Sequence, residues 1–487
     1  MPVLVLPTCS LSRPAAVTIE NLSDGLLQKI FGYFLDVSPQ NWPTLVHTCR
    51  KWRRIVSESQ KALHLRLFCT HGTPVLNSLD CWPNMPIVVQ YGGSLELDPP
   101  APEDEDNIMA ALKRSDRVVS LTLTVTAPLQ ARLSTIDPLF LKLEHLVLLS
   151  QDGVRYLTQP RPFRSGQWGT RLRSLHLTRI SFLELPRLLY SSKNLVDLRL
   201  HEVLYPSNFS TEILTNSFSG MTQLQLLSLH FLPPLVLPTS TDRLSKISPS
   251  RKFVSLPSLT RFDFRGITDS LKGLVAGIDS PGLGDIEVTC VNESISDSEV
   301  SDLSVLFEFI DRIKMHKSPR RADILSSEHD ITISLTQPGV HTCLRLKLLC
   351  EPLTTQLSSM ARICFQFSAF LFNVEDLRIN VKRQSTQDDG PYKRSLETVN
   401  LFIAGKWLKV SGNLSSNIVK SLQLRERRHG LALKKLRALE HGPRHASLRE
   451  AIVSLMISWR LSGHPIQVAV EDEQALHASE LCATGTV

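Results

Sequence analysis

A recurring leucine spacing constrains this chain more than any other feature. Ten segments carry an apolar residue, one intervening residue and a second apolar residue, most with a further apolar residue three places upstream. They are Val119-Ser-Leu121-Thr-Leu123, Leu143-Glu-His-Leu146-Val-Leu148, Leu172-Arg-Ser-Leu175-His-Leu177, Leu195-Val-Asp-Leu198-Arg-Leu200 and Leu224-Gln-Leu-Leu227-Ser-Leu229. Leu259-Thr-Arg-Phe262-Asp-Phe264, Leu283-Gly-Asp-Ile286-Glu-Val288, Val374-Glu-Asp-Leu377-Arg-Ile379, Leu396-Glu-Thr-Val399-Asn-Leu401 and Ile418-Val-Lys-Ser-Leu422-Gln-Leu424 complete the set. Alternate residues of a strand point to one side, so both apolar residues of each pair enter the same core. The upstream residue turns the chain into the strand, and a returning helix or loop closes each unit.

The anchors at 121, 146, 175, 198, 227, 262 and 286 are 25, 29, 23, 29, 35 and 24 residues apart; 377, 399 and 422 add 22 and 23. That spacing reads as an irregular leucine-rich-repeat solenoid of mixed α/β class, a horseshoe in which most of the chain's 79 leucines form one long core. Phe182–Leu189 and Ser270–Ile278 have the helical spacing of returning segments. Asp302–Ile310 reads as an amphipathic helix, and Ile331–Leu335 with Leu344–Leu348 as one unit with a hairpin insertion around Pro338-Gly339. Leu63–Leu67 and Ile87–Val89 read as starter strands, and Pro99–Asp106 between them and the array as an exposed acidic loop. Leu448, Ile452, Leu455, Met456 and Trp459, followed by a strand at Ile466–Val470, read as a C-terminal cap.

Residues 20–58 follow a different rule. Leu26, Leu27, Ile30, Phe31 and Phe34 recur at helical spacing behind Ser23 and Asp24, both capping residues. Asp36–Asn41 breaks that helix. A second stripe follows in Trp42, Leu45, Val46, Cys49, Trp52, Ile55 and Val56, with Arg50, Lys51, Arg53 and Arg54 opposite. Two short helices bury little alone, so this stretch either docks on the repeats or forms a module that a partner completes.

Leu22-Ser-Asp-Gly-Leu26-Leu-Gln-Lys-Ile30-Phe31, followed by Leu45-Val-His-Thr-Cys49-Arg-Lys-Trp52-Arg-Arg-Ile55, resembles an F-box over about 40 residues. Ser23 stands where that pattern has proline. His64-Leu-Arg-Leu, Gly72-Thr-Pro74, Trp82-Pro and the ending Leu461-Ser-Gly-His-Pro465-Ile are similar to the leucine-rich F-box proteins expanded in mushroom-forming fungi. The resemblance implies a substrate receptor of an SCF-type, cullin-based ubiquitin ligase acting in protein degradation. Its F-box would bind a Skp-type adaptor and its repeats an unknown protein substrate. Leu22, Leu26, Leu27, Ile30, Phe31, Leu45, Cys49 and Trp52 match positions that form the F-box core or contact the adaptor. The organisation expected is a flexible terminus at 1–17, the F-box at 18–60 and a connector at 61–116. The repeats follow at 117–445, the cap at 446–470 and a frayed tail at 471–487.

The function classes left over are thin. No G-x-S-x-G, phosphate loop, G-x-G-x-x-G or H-E-x-x-H occurs, so no catalytic residue is assigned and the chain is read as a non-catalytic adaptor. No Cys-x-x-Cys occurs; Cys343 and Cys350 are seven apart, and neither a metal nor a cofactor is expected. His429, His441 and His445 fall in a basic stretch read as helical, with Arg425–Arg428, Lys434, Lys435 and Arg437; with Arg320-Arg321 these are solvated faces, since aromatics are not interleaved. A net charge of +7, from 54 basic and 47 acidic residues, does not demand nucleic acid. No apolar run reaches membrane-spanning length, Met1–Pro7 is too short for a signal peptide, and nine unpatterned cysteines suit a reducing compartment. The expected location is cytoplasmic and/or nuclear. The rival to a ligase receptor is a leucine-rich-repeat scaffold without a ligase role.

Overall fold

Sixteen strands pair into one open sheet in the computed structural model of the chain. The residues described are 19–37, 42–58, 64–73, 75–82, 84–92, 101–133, 135, 140–150, 155–157, 168–182, 185–204, 211–232, 253–291, 304–313, 319–327, 330–336, 344–349, 374–381, 407–412, 435–440, 452–457 and 467–472. The chain opens with helices α1 (Asp24–Val37), α2 (Trp42–Thr48) and α3 (Arg50–Glu58). Strands and helices then alternate: β1 (Leu65–Phe68), α4 (Val75–Cys81), β2 (Ile87–Tyr91), α5 (Pro102–Leu112), β3 (Val118–Val125), α6 (Ala127–Leu133) and β4 (His145–Ser150). A short strand β5 (Arg155–Leu157) precedes β6 (Ser174–Thr178), β7 (Ile180–Phe182), α7 (Leu185–Ser191), β8 (Asp197–Leu204), α8 (Thr211–Ser217) and β9 (Leu226–Leu232). After them come β10 (Val254–Ser255), β11 (Arg261–Gly266), α9 (Thr268–Val275), β12 (Ile278–Asp279), β13 (Asp285–Val291) and α10 (Ser304–Arg312). The last strands are β14 (Arg321–Ser326), β15 (Asp330–Thr336), β16 (Leu344–Leu349), β17 (Asp376–Val381), β18 (Trp407–Gly412), β19 (Lys435–Glu440) and β20 (Gln467–Asp472).

The sheet order is β1-β2-β3-β4-β6-β8-β9-β11-β13-β16-β15-β14-β17-β18-β19-β20, with β5–β7 and β10–β12 as separate parallel pairs. Among the described residues β1 and β20 end the order, and the sheet is not a closed barrel. Register explains the leucines. One unbroken row of partners runs Leu121, Leu146, Leu175, Leu198, Leu227, Phe262, Ile286 and on through Leu344, Leu335, Ala322, Leu377, Leu408, Leu436 to Val468. A second row two residues along runs from Leu123 through Leu148, Leu177, Leu200, Leu229, Phe264 and Val288 to Leu346. Residues between the rows are half-buried or exposed, as the alternation along β13 and β15 shows, except Ser228 on β9, which is buried. Parallel sheets are usually covered on both sides; here the alternation leaves one face apolar and one polar.

Backbone hydrogen bonds account for the upstream leucine. The carbonyl of Arg173 accepts the N–H groups of Val196 and Asp197, and the carbonyl of Val196 accepts those of Gln225 and Leu226. Gln225 does the same for Thr260 and Arg261, and Thr260 for Gly284 and Asp285, all at 2.7–3.1 Å. Each repeat therefore receives the next at the residue just after its upstream leucine, while Leu172, Leu195, Leu224, Leu259 and Leu283 sink into the core. The returning helices supply the other layer: Leu188 and Leu189 from α7, Leu214 from α8, Leu271 and Leu274 from α9, Leu306, Phe309 and Ile310 from α10 belong to the same continuous cluster as the strand leucines. A fully buried aliphatic side chain contributes about 1.5–3 kcal/mol.

Several expectations change. The acidic stretch is a helix: Pro102 takes its first turn, Asp104 accepts the Ala101 N–H at 3.1 Å, and Asp104 and Glu105 are buried. The second N-terminal stripe is two helices, broken at Cys49. The middle region holds three antiparallel strands, with β14 added to the two expected. The expected repeats at 396–401 and 418–424 lie outside the described residues, and the strands following β17 in the sheet are 407–412 and 435–440. Lys435 and Arg437 stand on strand β19, not on a helix; His429, His441 and His445 lie outside the described residues. The expected starter strands are present as β1 and β2, and the sheet extends from Leu65 to Asp472 across the expected boundaries at 117 and 445. At the C-terminal end Ile452 and Leu455 are buried on a helical turn at 452–457 with Met456 outside; Leu448 and Trp459 lie outside the described residues. Among the described residues no helix is long and apolar enough to cross a membrane.

Candidate functional site

The N-terminal helices build a small core from both of their sequence stripes. Ser23 starts α1: its carbonyl accepts the Leu26 and Leu27 N–H groups, and its hydroxyl oxygen accepts the Leu26 N–H at 3.4 Å. Inside, Leu27, Phe31, Leu45, Val46, Ile55 and Val56 are buried, with Leu22, Phe34 and Trp52 packed against them. The Phe31 and Trp52 rings meet at 4.8 Å and 57°. The basic residues of α3 fasten the other helices. Lys51 donates to the Leu22 carbonyl at 3.0 Å, Arg53 to the Val46 carbonyl at 2.9 Å, and Arg54 to the Asp24 carboxylate at 3.2 Å.

Helix α1 is apolar on two sides. Leu27, Phe31 and Phe34 face α3, whereas Leu26, Ile30 and Tyr33 form a parallel stripe that is 45, 40 and 75% exposed. Ile19, just before the helix, is 49% exposed. The eight candidate residues therefore divide. Leu27, Phe31 and Leu45 are core, Leu22 and Trp52 are half-buried supports, and Leu26, Ile30 and Cys49 reach the surface. Tyr33 was not singled out from the sequence, although it lies three residues after Ile30 on the same face. Such a stripe carries no chemistry; it gains free energy only when another surface covers it.

The second surface is the polar face of the sheet, lined by the residues between the leucines. His176 and Arg199 both engage Asp197, at 3.1 and 3.0 Å. Arg345 reaches Glu287 at 3.3 Å and Lys347 reaches Asp330 at 3.1 Å. Burial raises the Asp197 carboxyl, but the His176 and Arg199 hydrogen bonds outweigh it and hold the group below the usual range. Asp285 goes the other way: burial wins over Arg261, 3.6 Å away, and raises it. One group of metal-type donors stands on this face among the described residues, His201, His230 and Asp263. The sequence reading expected no metal and passed over all three. Their signal was in the repeats: both histidines directly follow the second leucine of a strand, and Asp263 separates Phe262 from Phe264.

The chain matches no protein-family model, and a search of curated proteins found no match to it.

Proposed function

We propose that this protein is the substrate-recognition subunit of an SCF-type ubiquitin ligase, with α1–α3 as an F-box that binds a Skp-type adaptor. The strand-and-return units, read as a leucine-rich-repeat solenoid, would present the protein substrate on their polar face. The observation that carries the reading is the outer stripe of α1: Leu26, Ile30 and Tyr33 stay exposed on a helix whose other stripe is already filled. Residues resembling an F-box fall on both stripes, as an adaptor-binding module requires. In this role the chain performs no chemistry and acts by proximity, holding a target beside the ubiquitin thioester carried by recruited partners through the cullin.

Burying the remaining surface of Leu26 or Ile30 contributes about 1 kcal/mol each, while an aspartate there strands a charge at several kcal/mol. Leu26→Asp and Ile30→Asp should therefore weaken adaptor binding by roughly 100-fold or more, at 1.4 kcal/mol per tenfold. Leu76→Asp serves as the control, since Leu76 is 61% exposed on α4, outside the module. Titration of purified chain with Skp-type adaptor reads the result. Absence of binding by the unmodified chain at micromolar adaptor, or equal loss with Leu76→Asp, would return the protein to the scaffold reading.

A further inference from the structure

We propose that His201, His230 and Asp263 form a binding site for a divalent d-block cation of the zinc class on the open face of the sheet. This inference goes beyond the ligase reading and does not depend on it.

Strand register assembles the cluster. In Leu198-Arg-Leu200-His201 and Leu227-Ser-Leu229-His230 the leucines point into the core, so both histidines point to the polar face. Because Leu200 partners Leu229, the two rings come side by side and stack at 4.2 Å, 8° from parallel. Asp263 partners Ser228 across the next pair of strands. The three ligand atoms lie within 4.8 Å of one another.

The hydrogen bonds fix where the protons are without metal. A carboxylate only accepts, so His230 donates from Nε2 to Asp263 Oδ2 at 2.9 Å, and the Ser228 hydroxyl donates to the same oxygen at 2.9 Å. The Ser228 oxygen then accepts from His201 Nε2 at 2.8 Å. Both Nε2 atoms and the carboxylate thus converge on one small volume. A cation there takes the place of the two Nε2 protons, and each neutral imidazole carries its one proton on Nδ1 instead, the tautomer that leaves Nε2 free to ligate.

Two imidazole nitrogens and one carboxylate oxygen make a donor set that suits zinc, cobalt(II) or nickel(II) better than magnesium or calcium, which prefer all-oxygen shells. Zinc bonds of about 2.0–2.2 Å require donors closer together than 4.8 Å, a change that side-chain rotation supplies. Three protein ligands leave a coordination position open to solvent. A serine-type catalytic relay does not fit the same atoms. It needs the carboxylate on the ring nitrogen remote from the hydroxyl, whereas here His230 Nε2 faces both Asp263 and Ser228.

The backbone supplies an independent observation. Register shifts between Leu200 and Val203, and Glu202, immediately after His201, has φ 51, a left-handed conformation that a non-glycine residue adopts at a cost. Arg179 anchors this bulge by donating to the Glu202 carboxylate at 2.7 Å. Bulges of this kind redirect side chains, and this one sits at the proposed ligand.

The test is calorimetric titration of zinc chloride into chelator-treated full-length chain, alone and as His201→Asn, His230→Asn and Asp263→Asn. His176→Asn is the control, since His176 engages Asp197 on the same face. The expected result is one zinc site lost, or weakened at least about tenfold, in each ligand variant and retained in the control. Cysteines elsewhere cancel in this comparison, and thermal melting in chelator checks that the variants fold. Cobalt(II) supplies a second measurement: visible d–d bands in the unmodified chain that disappear in His230→Asn. No zinc uptake by the unmodified chain at micromolar zinc overturns the proposal, as does undiminished stoichiometry in the ligand variants; the cluster is then only a hydrogen-bonded histidine–aspartate pair.

Discussion

Truncating Leu26 and Leu27 to alanine, one at a time, separates the two sides of α1. Leu27 is fully buried among Phe31, Leu45, Val46 and Ile55, so Leu27→Ala should destabilise the three-helix module by about 3 kcal/mol, within the range for buried leucines. That raises the open fraction of the module roughly 100-fold. Leu26 is 45% exposed, and its truncation should cost under about 1 kcal/mol, less than tenfold. Hydrogen exchange read by mass spectrometry on peptides within 24–58 measures both, with peptides from β6, β8 and β9 as internal references. The expected pattern is a two-decade loss of protection in Leu27→Ala, confined to the module, and near-native protection in Leu26→Ala. Equal losses in the two variants, or full protection in Leu27→Ala, would refute the division into an inner and an outer stripe, and with it the surface assigned to the adaptor.

Arg117 is buried and donates to the carbonyls of Met85 and Trp82; Arg117→Ala strands both acceptors and should lower stability by about 3 kcal/mol, read as a fall in the urea midpoint. Gly92 and Gly220 share left-handed backbones, φ 75 and 89. An alanine Cβ at Gly92 would fall 2.1 Å from Thr124 Oγ1, whereas at Gly220 the nearest atom is a flexible Lys193 carbon at 3.7 Å. Gly92→Ala should therefore lower the melting temperature more than Gly220→Ala, whose cost is the backbone strain of about 1 kcal/mol. Burial, with Asp104 nearby, pushes the Cys69 thiol up to about 12. At pH 8 iodoacetamide should modify exposed Cys49 and Cys81 but spare Cys69 until denaturant is added. Because this folded-state value lies above the ordinary 9.0, its contribution is whole below pH 9 and fades as pH rises towards 12. Cys69→Ala should flatten the alkaline loss of stability over that window.

The strands that carried an upstream leucine were legible from β3 to β13 because burial of alternate residues imposes a period of two. β14 escaped notice: Arg321-Ala-Asp-Ile-Leu has no upstream anchor, and its antiparallel pairing needs none. Helix α5 was hidden by composition, since a run of carboxylates resembles a loop. Yet Pro102 at the first turn and acids behind it are also helix-start signals. On α1 the sequence offered adjacent leucines at 26 and 27 without saying which turns inward. That depends on where α3 docks, a tertiary contact that no local period encodes. The histidine cluster was missed for a related reason. His201 and His230 are 29 residues apart, and only in-register pairing of β8 with β9 brings them together.

The three strands β14–β16 reverse the sheet twice and therefore leave its direction unchanged: β16 runs parallel to β13, and β14 parallel to β17. Polarity survives only when that detour holds an odd number of strands, or none. One strand lost would force β17 to pair head to tail with the strand it meets, whereas excision of the whole detour leaves that junction parallel. Ile286 is linked to Leu377 through Leu344, Leu335 and Ala322 in a single row, so excision would bring those two into direct register. On the open face the same splice would set Glu287 opposite Arg378, replacing the Glu287–Arg345 pair with another of the same sign pattern.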